Sequence, residues 1–599
     1  MFDFTKEQIF SALEKHEKAP AVKIAAEKVA EMKENPLLSN AFASLEKCRD
    51  FYRERPFYAI PFSMFKRFEA DGDRTEFEYH ERGYFMHRGQ LKTWALSTLF
   101  YGSDDDISKL EDAIWAICDE FTWSLPAHMR GSQGIYESYQ PDRYTVDLFA
   151  AETGQALAEI IQIVGDKLNP LVVKRAKREI QTRVVDRFLY SDLSEFSWAK
   201  STNNWAAVCA GSVGMASICE IDDNEKLATM IERLLISFRT FISGFADDGA
   251  CLEGIGYWSY GFGYFSCFAD MLYRRTGGEI DLFADEIVHR VALFPTKTFF
   301  YGSRTVSFSD AGSKGGMGLG ITTMLASHYP DMIVPSTATL NAGVEVTGCH
   351  RFALNLRSFI WAGKERPAVK DGSAVYPLPH AQWYIANGVD NVGFAAKAGN
   401  NAEPHNHNDV GHFITYKNGD EFFCDLGSGE YSKQYFSKER YTILHCGAHG
   451  HSLPIINGQF QQAGRDKAAK DVVMTDSGIS MDIAETYDVA SLTSLKRDFV
   501  FDTASSTVTL KDKFVFADNP ESVVERFITK IEPVFEKGKV VLTTQNGEMA
   551  LYYDDKAFEA KLSSEVVSDH GGVKKFRCYL VDLEVISPEK EMEFTFTVK

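Results

Sequence analysis

No stretch of the 599-residue sequence approaches the ~18–20 consecutive apolar residues of a membrane-spanning helix. Positive charge is scarce: 64 Lys and Arg stand against 84 Asp and Glu, for a formal net charge of −20. Such a surface repels nucleic acid and anionic membranes in general, although a cleft can still be locally basic. Cys-x-x-Cys pairs are missing, and the ten cysteines are scattered. That is the usage of reduced, buried thiols rather than of a disulfide framework. There is no low-complexity stretch and no fixed-period repeat. The N-terminal MFDFTKEQIFSALEKHEKAP lacks the basic start, apolar run and small-residue cleavage site of a secretion signal, so the expected location is the cytoplasm.

What is present points to more than one domain, because a chain of this length exceeds a single core. Aromatic residues make up 13%, with 45 Phe and 25 Tyr, which suits large cores and also grooves where sugar rings stack. Up to about residues 335–355, apolar residues recur at helical spacing, as in DLFAAETGQALAEIIQIVGDKL (147–168) and DDNEKLATMIERLLISFRTFISGF (222–245). Helical hairpins in series either stack as a solenoid or close into a toroid, and the lack of a repeat weighs against the solenoid. Beyond about 355 the pattern turns to period two, as in GHFITYKNGDEFFCDLG and DFVFDTASSTVTLKDKFVF, with Asn-Gly turns in KNGDE and QNGE. The expected class is α+β multidomain: an N-terminal cap or entry segment (1–90), a domain of helical hairpins (91–345) and an antiparallel β-sandwich (346–599).

Residues 403–412, EPHNHNDVGH, hold three of the 15 histidines. If 405–413 is a strand, His405, His407 and Asp409 share one face, with Asn406 and Asn408 on the other. A buried strand face does not carry such a set without a purpose. Asp425 ends the apolar run EFFCDLG, and HCGAHGHSLP supplies His445, His449 and His451. Imidazoles and a carboxylate from separate segments form the ligand set of Zn²⁺ or a similar cation. In the helical half, Asn203 and Asn204 precede a run of small residues, where a plain helix cap is the competing role. DDGACLEGIGYWSYGFGYF (247–265) is dense in Gly and Tyr.

HNHNDVGHF, CDLGSGEY and RYTILHCGAHGHSLPIINGQ together resemble the C-terminal signature of the heparinase II/III-like polysaccharide lyases. NNWAAVCAGSVGMASI, DGACLEGIGYWSYG and DLFAAETGQALAE are similar to segments of that family's helical domain, and the resemblance spans roughly residues 90–520. It implies an N-terminal (α/α) toroid joined to a β-sandwich, with the active site between them and β-elimination on a uronate-containing glycan as the reaction. The substrate would be a glycosaminoglycan such as heparan sulfate, chondroitin or hyaluronan, or else alginate.

That reaction removes the C5 proton of a uronate and expels the C4 oxygen, so the sugar carboxylate must be held, a base must reach C5 and an acid must reach O4. By resemblance, Asn203 and His405 hold the carboxylate and Tyr257 transfers protons. Relatives often have Asn-His where this chain has Asn203 and Asn204, so base duty falls to Tyr257 or His405. His407, Asp425 and His451 are the implied metal ligands, with His445 and His449 as substitutes for the third. The implied ion is Zn²⁺, or Mn²⁺ as second choice, in a structural role. Trp123, His128, Arg130, Tyr136 and Arg440 are expected to bind the acidic sugar chain. Asp409 is expected beside a histidine, and His412 at the surface. No nucleic-acid or membrane partner is expected, and homodimerisation is left open. Two rival readings are a hydrolase using carboxylates from Asp247, Asp248 and Glu253, and a non-catalytic glycan-binding protein.

Overall fold

The computed structural model describes all residues except 72–81, 130–141, 335–339, 342–343, 345–348, 364–367, 369–371, 433, 571 and 573. The N-terminal region is helical. Its principal helices are α1 (Lys6–Lys15), α2 (Tyr84–Phe100), α3 (Asp104–Asp119), α4 (Leu148–Val164), α5 (Asn204–Glu220), α6 (Asn224–Ile242), α7 (Gly263–Arg275) and α8 (Phe352–Ile360). Side-chain caps start several of them: Asp147 accepts from Ala150 N, Asn203 from Trp205 N and Asp223 from Glu225 N. Helix α5, rich in Ala, Gly and Ser, is buried along nearly its whole length. Small side chains let α4, α6 and α7 pack closely around it. Helix α1 packs on α6, and Ile9 and Leu13 join the same apolar core as α4–α8, so the N-terminal segment is built into the helical region. No helix among the described residues is long and apolar enough to cross a membrane.

The C-terminal region consists of antiparallel sheets. A five-stranded meander runs in sequence order through β1 (Ala374–Leu378), β2 (Trp383–Asn387), β3 (Val392–Lys397), β4 (Phe413–Lys417) and β5 (Asp420–Glu421). Asn418 and Gly419 make the β4–β5 turn, both at positive φ (51° and 84°), as an Asn-Gly hairpin turn requires. An eight-stranded sheet draws on residues 470–598 and a four-stranded sheet on residues 454–585.

The meander is buried on both faces, and its period-two sequence supplies both. Trp383, Ile385, Ala395, Ile414 and Tyr416 belong to the core of the helical region. The intervening Tyr384, Ala386, Phe394, Ala396 and Phe413 belong to the core shared with the eight-stranded sheet. The meander is therefore the layer joining the two regions, and its β3–β4 connection carries the histidine-rich segment.

Candidate active site

Residues 402–412 are a loop between β3 and β4, and the strand begins only at Phe413. The strand expected over 405–413 is thus corrected. His405 sits at φ 54°, a conformation no regular strand permits. Lys397, the last residue of β3, holds the loop: its buried ammonium lies 3.0 Å from Glu403 Oε2 and 2.9 Å from Asp409 Oδ1. Burial works against that charge, but the two carboxylates outweigh it and hold the Lys397 pKa above its ordinary value. Asp409 therefore pairs with a lysine rather than with a histidine.

A buried carboxylate ties the loop to the helical region. Asp310 Oδ2 accepts from His405 Nδ1 at 2.7 Å and from the Tyr431 hydroxyl at 2.9 Å. Its Oδ1 accepts from His407 Nε2 and Arg440 Nη2, each at 3.0 Å, and from the Tyr435 hydroxyl. Burial alone would raise the Asp310 pKa, but the bonds from His405 and His407 and the charge of Arg440 hold it far below the usual carboxylate range. The bond through Nδ1 turns His405 Nε2 outward, 3.5 Å from Glu253 Oε1.

His407, Asp425 and His451 are buried, with candidate ligand atoms all within 4.8 Å of one another. His407 bonds Asp310 through Nε2, leaving Nδ1 3.9 Å from Asp425 Oδ1. His451 bonds the Gly447 carbonyl through Nδ1, leaving Nε2 3.6 Å from Asp425 Oδ2. Neither free nitrogen has a hydrogen-bond partner, and neither has Asp425 Oδ2. Two buried imidazole lone pairs and a carboxylate pointed at one another repel unless a cation lies between them, and the outer bonds fix the tautomers that ligation needs. These residues fit a metal ion. His412, expected at the surface, is fully buried. Its Nδ1 accepts from Ser452 N, so its Nε2, 3.6 Å from Asp425 Oδ2, carries a proton and supports the carboxylate instead of ligating. His445 and His449 fall outside the group.

Tyr257 stacks on His405, with ring centroids 4.4 Å apart and planes 27° from parallel. Its hydroxyl lies 3.0 Å from that of Tyr431. Burial raises the Tyr257 pKa, and the Tyr431 hydrogen bond opposes the rise. Burial also raises Glu253, against the pull of His405 and a hydrogen bond with Asn204. Asn203 caps α5 through Oδ1, which leaves its amide nitrogen free for a ligand. His128 bonds Asp147 at 2.8 Å and packs edge-on against Trp205, beside the asparagine pair. Gly254, at φ 90°, lets the Tyr257 turn approach the Asp310 loop: a Cβ there would stand 2.6 Å from that of Ala311. Gly254→Ala is expected to cost about 1–3 kcal/mol of stability, read by urea denaturation.

Solved structures of similar fold exist. A mutant of the heparan sulfate lyase HepC from Pedobacter heparinus superposes with a TM-score of 0.57 at 15% identity, covering 86% of this chain and 76% of that one. A heparinase III gives 0.58 at 14%, covering 99% and 92%. Paenibacillus xanthan lyase gives 0.50 at 10%, covering 99% and 59%. The chain has the heparinase III fold. No family model and no curated protein matches the sequence.

Within this heparinase fold, several expected residues lie elsewhere. Trp123 is a core residue, 1% exposed, with its Nε1 donating to the Ile117 carbonyl and the Arg183 guanidinium over its ring. No face is left for a sugar. Arg440 gives one bond from each nitrogen, to the Asn406 carbonyl, the Tyr435 carbonyl and Asp310, and so braces the site. Arg130 and Tyr136 lie outside the described residues. Of the carboxylates in the hydrolase reading, Asp248 accepts from the backbone of His380 and Ala381, Asp247 is exposed, and Glu253 lies beside His405. Asp310, Tyr431, Tyr435 and Lys397 were missed. Asp310 is a lone acidic residue 95, 121 and 125 residues from His405, Tyr431 and Tyr435, which bond it. Tyr431 closes the motif CDLGSGEY without standing out in it, and Lys397 meets Glu403 and Asp409 only through the fold of the loop.

Proposed function

We propose that this protein is a lyase that cleaves uronate-containing glycans of the glycosaminoglycan type by β-elimination, leaving a 4,5-unsaturated uronate. The carrying observation is the Tyr257–His405 stack, braced from behind by Asp310 and flanked by the asparagine pair, in a chain with the heparinase III fold. The helical region is read as an (α/α) toroid and the sheets as a β-sandwich, with substrate running between them. The solved neighbours named for heparan sulfate and heparin favour a glycosaminoglycan. Alginate oligomers are the alternative substrate.

In this reading the Asn203 amide nitrogen faces the sugar carboxylate, and His405 joins it through its outward Nε2 when that nitrogen also carries a proton, so charge spreading from C5 is met by donors. Asn204 holds Glu253 beside them. Tyr257 takes the C5 proton and returns one to O4, a double duty open to one group when both positions lie on the same face of the ring. A divalent cation, most readily Zn²⁺, would be held by His407, Asp425 and His451, three protein ligands of the kind zinc prefers. It would supply structural bracing of the loop that presents His405. Ten unbridged cysteines support action in a reducing compartment; cleavage there of imported oligosaccharides, from their ends, is the mode of action we propose. Ultraviolet product assays across heparan sulfate, chondroitin, hyaluronan and alginate oligomers test the reading. New absorbance is expected with at least one of them, and none with any would contradict it.

Asn203→Asp separates capping from substrate binding. Aspartate caps as well as asparagine, so the melting temperature is expected to hold. The lost amide donor should lower kcat/KM by roughly 10- to 100-fold. An unchanged kcat/KM would reduce Asn203 to a helix cap.

A further inference from the structure

Tyr431 lies in the segment after β5, with its ring packed against Tyr435, Phe436 and His570. Its hydroxyl stands between its two nearest partners, Asp310 Oδ2 at 2.9 Å and the Tyr257 hydroxyl at 3.0 Å, with His405 Nδ1, itself bonded to Asp310, farther off at 3.5 Å. A phenol has one proton to give. With Tyr257 protonated, the Tyr431 proton goes to the carboxylate, and Tyr257 donates to the Tyr431 oxygen. With Tyr257 as phenolate, the same geometry lets the Tyr431 hydroxyl turn and donate to Tyr257 instead. Asp310 loses little by this, because His405, His407, Tyr435 and Arg440 still donate to it.

We propose that Tyr431 is a positioning residue for Tyr257, a hydroxyl rotor that turns from Asp310 to the Tyr257 oxygen whenever Tyr257 is ionised. The proposal rests on the lyase reading above. The cycle balances on Tyr257 alone. The phenolate takes the C5 proton as the C5–H bond breaks, the resulting phenol passes that proton to O4 as the C4–O4 bond breaks, and the phenolate is restored. The electron pair from C5–H becomes the C4–C5 double bond. Tyr431 exchanges no proton with the sugar and supports both states of Tyr257. The groups around that phenol act in opposite directions: burial, Asp310 and Glu253 disfavour the phenolate, while Tyr431 and Arg440 favour it. His405, stacked on the ring, blocks movement of the phenol out of line.

Tyr431→Phe tests this, since it removes one oxygen and keeps the packed ring. At neutral pH kcat is expected to fall roughly 10- to 100-fold with KM within about twofold, and the pH at half-maximal kcat to rise by about one to two units. The pH profile is read on the active fraction, so a partial loss of folded protein does not disturb it. A kcat and pH profile matching wild type, in a protein that Tyr257→Phe inactivates, would overturn the role of Tyr431 and leave the lyase reading standing. If wild type itself forms no unsaturated product from any uronate oligomer, both fall together.

Discussion

Tyr257→Phe is expected to lower kcat/KM on a uronate oligosaccharide by roughly 10²- to 10⁴-fold, the range for losing a positioned acid–base group. The top of that range is favoured because one oxygen serves both proton transfers. Stability should barely change. The phenyl ring keeps its stack on His405, and Tyr431 keeps its bond to Asp310. Only the hydroxyl–hydroxyl bond is lost, worth about 0.5–1.5 kcal/mol. Circular dichroism melts and ultraviolet product assays on the same preparation check both halves. Activity within tenfold of wild type would move the base duty to His405, the other group at the centre of the stack.

Asp425→Ala carries the second large effect, on folding. The carboxylate is fully buried among His407, His412 and His451, and its Oδ1 also accepts from Gly427 N in the turn after β5. Burial opposes its charge, but the three histidines hold its pKa well below the ordinary range. Removing it strands these imidazoles in the interior, at an expected cost of about 3–5 kcal/mol. Chelator treatment should lower the melting temperature of wild type and leave that of Asp425→Ala where it is, because the variant has no ion to lose. Elemental analysis should find about one metal per chain in wild type. Metal-free wild type with a chelator-insensitive melt would contradict the assignment of His407, Asp425 and His451.

The large divisions of the fold were legible because they rest on periodicity. The helical spacing of the first half and the alternation after about 355 each mark a surface that must be buried, and Asn418 and Gly419 name their own turn. The strand expected over 405–413 failed for a local reason. Alternating polar residues look like strand faces, but His405 adopts a left-handed conformation and Lys397 draws Glu403 and Asp409 onto one ammonium. The buried place of His412 was hidden because a histidine is apolar enough for a core when one nitrogen accepts a backbone bond. Trp123 fits a sugar groove or a core equally well by residue type, and its covered faces decide for the core. Asp310 could not be found by spacing, since it stands 95 residues from His405 and 125 from Tyr435 in a stretch without a motif. Its role exists only once the helical region and the meander meet.

The most direct test of the lyase account is the mass balance of a single cleavage. A purified uronate oligosaccharide of defined length is digested, and the two products are weighed by mass spectrometry. β-Elimination predicts that their masses sum to that of the substrate, with the unsaturated uronate on the fragment that keeps the cleaved sugar's C4–C5 bond. Products that together exceed the substrate by one water would show hydrolysis, and would contradict the account.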